Sequence, residues 1–179
     1  MISLALVALA VLIAMPLGYA ATKPGTFRVQ RATRIDAPPE KIFALVNDPR
    51  RWSAWSPYEA KDPALQRAYS GPASGRGAVC EFDGNRAVGK GRLTITDSVA
   101  NSRVVVAVDM FEPFEAHNVV EYTLRAEGDA TNVTWAMVAD CPYPARIIGM
   151  FINMDRMIGT DFEAGLARLK AIAEEKGPA

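Results

Sequence analysis

The first 22 residues, Met1 to Thr22, carry no charged side chain, whereas all 20 Lys and Arg and all 20 Asp and Glu lie after them. At about 1.5 Å of rise per helical residue, an uncharged run of this length can cross a hydrocarbon layer of roughly 30 Å. The expected organisation is an N-terminal transmembrane helix over residues 1–22 followed by one globular domain over residues 27–175. No Lys or Arg precedes the apolar run, which argues for retention as an anchor, but Gly18-Tyr19-Ala20 offers a small-x-small site, so a cleaved signal peptide remains open. A buried ordinary helix is the third reading. Lys23, Arg28, Arg31, Arg34 and Lys41 come soon after, and a positive-inside bias would put the domain on the cytoplasmic side. An exported domain is the alternative.

The chain beyond the apolar run is one domain's worth, enough to bury a core or enclose a cavity. Its charges balance to zero, which lacks the basic footprint that a phosphate backbone requires, so nucleic acid is not an expected partner. Cys80 and Cys141 show no clustering with each other or with the single histidine, His117, and neither a metal site nor a cofactor is expected.

Phe27 to Ile35 alternates apolar and polar residues and runs into Asp36-Ala-Pro-Pro, the start of a helix over Pro39 to Val46. Arg50 to Trp55 suggests a short helical turn. From Leu65 the chain is strand-like with turn signals at short intervals, giving strands near 65–70, 78–83, 89–97, 103–111, 116–126 and 131–140. The period then changes. No proline occurs from Ala145 to Glu175, and Ile147, Phe151, Met154, Ile158, Phe162, Leu166, Leu169 and Ile172 form one helical stripe. Gly149, Gly159 and Gly165 weaken such a helix by up to about 1 kcal/mol each relative to alanine, a cost explained if the helix closely approaches a sheet. This order predicts an α+β domain, a curved antiparallel sheet with helices on one face.

Period two assigns the faces. In the strand 116–126, Ala116, Asn118, Val120, Tyr122 and Leu124 point to the covered side, and His117 points to solvent. Val104, Val106, Val108 and Met110 share the covered side, as do Val133, Trp135 and Met137, and Ala78, Cys80 and Phe82. Met150, Phe151, Met154 and Met157 would add an apolar helix over them. These residues suit either a filled core or an adaptable pocket for an apolar ligand. Trp52 and Trp55 either line the mouth of such a pocket or anchor their loop.

These elements resemble the START-like helix-grip superfamily, and within it the polyketide cyclase/dehydrase-type SRPBCC proteins, many of them bacterial and some membrane-anchored. The resemblance rests on Ile35-Asp-Ala-Pro-Pro-Glu-Lys-Ile-Phe43, Trp52-Ser-Ala-Trp-Ser-Pro57, Tyr69-Ser-Gly-Pro-Ala-Ser-Gly75 and Val88-Gly-Lys-Gly-Arg92, together with Pro113-Phe-Glu-Ala116, Val133-Thr-Trp135, Asn153-Met-Asp155 and Asp161-Phe162. It implies a seven-stranded antiparallel sheet around a long C-terminal helix, usually with a ligand cavity between them; with the uncharged run read as an anchor, the expected location is the bacterial inner membrane.

The expected function is membrane-tethered binding or transfer of a small hydrophobic, lipid- or polyketide-like ligand. A cyclase/dehydrase-like enzyme and an interaction module with a filled core are the alternatives. The expected ligand contacts are Trp52, Trp55, Phe82, Val106, Val108, Met110, Asn118, Tyr122, Trp135, Met137, Met150 and Met154. An enzyme would need inward polar groups to move protons, for which Asn118, Tyr122, Asp155 and, after the tryptophan loop, Glu59 are the candidates. Ser74-Gly-Arg-Gly and Val88-Gly-Lys-Gly lack the strand-to-helix setting of a phosphate loop and read as hairpin turns.

Overall fold

The computed structural model describes residues 2–175, with side chains described there except at 2–5, 7, 10 and 13. Helix α1 (Ile2–Thr22) is followed by β1 (Thr26–Ile35), α2 (Pro39–Val46) and α3 (Trp52–Trp55), the last flanked by 3-10 turns at Pro49–Arg51 and Pro57–Ala60. Six strands come next: β2 (Gln66–Ser70), β3 (Val79–Asp83), β4 (Lys90–Val99), β5 (Arg103–Glu112), β6 (Ala116–Glu127) and β7 (Ala130–Asp140). Helices α4 (Tyr143–Ile148) and α5 (Met154–Glu174) end the fold. All seven strands form one antiparallel sheet in the order β1-β7-β6-β5-β4-β3-β2.

Local chemistry accounts for the helix ends. Pro39 occupies the first turn of α2, where its missing N–H costs nothing and its fixed φ suits the helix. The Asp48 carboxylate accepts from Arg50 N at 2.9 Å and caps the adjoining 3-10 turn. Ser56 does the same for the next turn through Tyr58 N.

Helix α5 lies across the concave face of the sheet and buries Phe162, Leu166, Leu169 and Ala173 against it. Close approach explains two of its glycines. A Cβ at Gly165 would come 2.6 Å from Cζ3 of Trp135, and one at Gly159 would run into the Arg31 guanidinium. The strand phases are as expected: Val104, Val106, Val120, Tyr122, Leu124, Val133 and Trp135 are buried, and His117 is exposed.

The single helix expected from Ala145 is two helices. Gly149 closes α4, and the Asn153 side chain, accepting from Arg156 N at 2.9 Å, starts α5 afresh. Asn153 is a cap placed inside what reads as a continuous stripe. The elbow therefore turns Phe151 and Met157 outward, 82% and 53% exposed, instead of over the sheet.

Among the described residues no helix is long and apolar enough to cross a membrane. The expected anchor includes residues whose side chains lie outside the described set, and Met1 lies wholly outside it. The buried-helix reading of the run is not met. Of the described α1 side chains, only Ala20 is fully buried, while Leu6, Leu9, Val11, Leu12, Met15 and Leu17 are exposed. The C-terminal end of α1 docks on α4: Tyr143 Oη donates to the Leu17 carbonyl at 2.8 Å, and Arg146 donates to the Lys23 carbonyl at 3.0 Å.

Candidate ligand cavity

Between α5 and the sheet lies a cavity of about 200 Å³. Because inward residues recur at every second position, neighbouring strands each contribute to its floor: Phe82 from β3, Leu93 from β4, Val106, Val108 and Met110 from β5, Val120 and Tyr122 from β6, and Trp135 and Met137 from β7. Phe162 of α5 and the loop residues Trp52, Trp55, Ser56 and Tyr58 close it, with Leu65, Arg67 and Val88 along one side.

An aromatic cluster stiffens one end. The Trp135 ring stacks on Phe162 at 4.2 Å between centroids, and Trp55 meets Trp135 edge-on at 5.6 Å and Tyr122 edge-on at 5.8 Å. The two loop tryptophans combine the roles left open by the sequence. Trp52 Nε1 donates to the Val46 carbonyl at 2.7 Å and Trp55 Nε1 to the Leu45 carbonyl at 3.2 Å, which ties the loop to the end of α2. Their rings also wall the cavity.

The cavity thus gathers Trp52, Trp55, Phe82, Val106, Val108, Met110, Tyr122, Trp135 and Met137 from the expected contacts, and leaves out three. Met150 and Met154 line a separate open groove beside the start of β1, with Tyr19, Phe27 and Phe151, because the elbow at Asn153 carries them away from the sheet. Asn118 has the expected inward phase and pairs with Val108, but it is half-buried near the strand end and does not wall the cavity.

Of the candidate polar groups, Tyr122 alone both lines the cavity and is buried, and burial pushes its hydroxyl well above the usual range. Asp155 is exposed and forms an ion pair with Arg31 at 2.9 Å, while Arg31 also reaches Glu163 at 2.7 Å. The hydrogen bond from Arg31 holds the Asp155 carboxyl below the usual carboxylate range. Asp155 fastens the first turn of α5 to β1 and has no access to the cavity. Glu59 is partly buried and pairs with Arg67. Burial raises the Cys80 thiol, which makes it a poor nucleophile, and both cysteines are free.

Sequence reasoning missed Ser56, Tyr58, Leu65, Arg67, Val88 and Leu93 as wall residues. A signal for Arg67 was present, since it shares a strand phase with Tyr69 and both are partly covered.

A long helix gripped by a seven-stranded antiparallel sheet, with a largely apolar cavity between them, defines a START-like, SRPBCC-type protein. The chain belongs to the polyketide cyclase/dehydrase and lipid transport family, whose profile matches residues 26–174. Solved structures agree on the fold. Major latex-like protein 151 from Panax ginseng is 13% identical with a TM-score of 0.65, the match covering 85% of this chain and 100% of that one. Protein CV1439 from Chromobacterium violaceum is 16% identical with a TM-score of 0.60, covering 86% and 100%. The di-domain ARO/CYC StfQ from the steffimycin biosynthetic pathway is 8% identical with a TM-score of 0.61, covering 83% of this chain and 51% of that one. No match to the sequence is found among curated proteins.

Proposed function

We propose that the domain holds a small hydrophobic ligand between its sheet and α5, and that α1 tethers it to a membrane. The observation carrying the first part is the cavity itself, a preformed space walled almost wholly by apolar and aromatic side chains. Binding is favoured over turnover because Asp155 lies outside the cavity and Asn118 is not part of its wall. A filled-core interaction module does not account for the space.

The tether is supported by the uncharged sequence of α1, its exposed leucines, and its docking on α4. Beside that docking point Ile148, Phe151 and Ile152 are also exposed, an apolar elbow suited to a membrane surface. The basic residues after α1 support an inner-membrane location with the domain on the cytoplasmic side.

Native mass spectrometry of the purified full-length protein, with lipid extraction of any adduct, tests the binding reading. A stoichiometric apolar adduct is expected, and a bare mass in the presence of a broad lipid extract counts against it. Alkaline carbonate washing tests the tether, since an anchored chain stays in the pellet. Protease digestion of the domain in intact cells would reject the cytoplasmic orientation.

A further inference from the structure

The wall of this otherwise apolar cavity contains one charged side chain, Arg67, held by a carboxylate that is not itself part of the wall. Arg67 lines it from the edge strand β2, and its guanidinium meets the carboxylate of Glu59, which sits on the 3-10 turn Pro57–Ala60. The two side chains are only 14% and 27% exposed. Taking two charges out of water is costly, and apolar side chains of the same size commonly serve a fold as well or better, so stability is a weak reason for the pair.

Glu59 Oε1 is buried and is held by the Arg67 guanidinium, so the carboxylate compensates the cation. One further polar atom of the region is unsatisfied. Trp135 Nε1 is buried without an acceptor, although the indole forms part of the cavity wall. Tyr58 and Tyr122 supply the remaining hydroxyls beside the single serine. Burial, with a smaller contribution from Asp161, raises Tyr58 to about 12, and burial raises Tyr122 too, so both stay neutral near pH 7. Glu59 balances the one cation of the wall, so the site carries no net charge.

We infer that the cavity selects an uncharged amphiphile, a small apolar body carrying one hydroxyl or carbonyl oxygen that accepts from Arg67, whose charge Glu59 already balances. A hydroxyl or carbonyl oxygen can accept from Arg67 without bringing a second negative charge beside Glu59. A carboxylate gains Arg67 but faces Glu59, and in a low-dielectric wall this repulsion offsets the attraction. A pure hydrocarbon offers no acceptor to Arg67 or to the buried Trp135 Nε1. The inference rests on the reading that the cavity holds a ligand.

The test uses the full-length protein in amphipol, titrated with 1-decanol, decanoate and decane, with binding read from fluorescence of the tryptophans that wall the cavity. Decanol is expected to bind at least about tenfold more tightly than decanoate or decane. Glu59→Gln removes the anion and leaves Arg67 uncompensated, so decanoate affinity should rise by about tenfold over the wild type. Near-UV circular dichroism checks that the variant folds, and Arg67→Met, which should lower decanol affinity, serves as the second variant. Equal binding of all three compounds, or tightest binding of decanoate to the wild type, overturns the inference and leaves the cavity reading standing. If none of the three binds and no adduct is found by native mass spectrometry, the cavity reading itself fails.

Discussion

The Trp135 indole lies stacked on the Phe162 ring, 13° from parallel, so that β7 and α5 meet through two flat surfaces instead of interlocking aliphatic chains. Gly165, three residues further along α5, brings its backbone against the same indole. Helix position, cavity height and aromatic stacking are therefore set by one contact.

Gly165→Ala should lower stability by about 1–3 kcal/mol, since the new methyl meets the indole and the Pro57 ring and neither can easily withdraw. Gly159→Ala should stay within about 1 kcal/mol of neutral. There the obstacle is the mobile end of Arg31, whose exposed pairs are worth little, and helix propensity improves. Urea unfolding of both variants decides the contrast, and equal losses would contradict it.

Val108→Phe places a ring into the cavity from β5. Ligand affinity should fall by at least about tenfold while stability changes by no more than about 1 kcal/mol, because space for the ring already exists. Thermal unfolding and ligand titration on the same sample separate the two effects. A large loss of stability with unchanged binding would show that the ligand lies elsewhere.

Trp52→Phe removes the donor to the Val46 carbonyl and should cost about 1–3 kcal/mol, the penalty for an unmet buried carbonyl. The loss should appear in chemical unfolding of the ligand-free protein, which distinguishes anchoring of the loop from contact with a ligand.

His117 is the only histidine, so its titration can be followed as a single NMR resonance. Its Nδ1 lies 2.7 Å from Asp109, and this hydrogen bond raises its pKa above 6.5. A raised folded-state value means that the pair contributes stability below the unfolded value of about 6.5 and loses it as pH rises through the folded value. Asp109→Asn should return the resonance to an ordinary midpoint, and the stability gap between the two proteins should be wider at low than at high pH. An unshifted midpoint in the wild type would mean that the pair does not form in solution.

Asp155→Asn should leave ligand binding unchanged, because Asp155 pairs with Arg31 between β1 and α5 and neither lines the cavity. The depressed carboxyl means that the pair stabilises above the unfolded carboxylate value and is lost as pH falls through the folded one, so any effect on unfolding vanishes in acid. Loss of binding at neutral pH would return Asp155 to the site.

Much of the site was legible because strand phase is local. Val106, Val108, Tyr122, Trp135 and Met137 face one way by period two, and the antiparallel register then brings them to one floor. Asn118 obeyed the same phase but sits too near the strand end to be covered, which phase cannot reveal. The methionines failed for another reason. Met150 and Met154 fit a continuous helical stripe, yet Asn153 competes as a cap and starts a new helix.

By itself, the sequence determined the order of the strands, the inward and outward faces of those near 78–83, 103–111, 116–126 and 131–140, and an uncharged run preceding the domain, because these depend on neighbours within a few residues. Tertiary structure decided the removal of Met150 and Met154 from the cavity and the pairing of Glu59 with the wall residue Arg67. Those two charges lie on different elements and carry no local pattern linking them. Their meeting depends on how the 3-10 turn at Pro57–Ala60 packs beside the edge strand β2, a relation fixed only when the whole sheet has closed around α5.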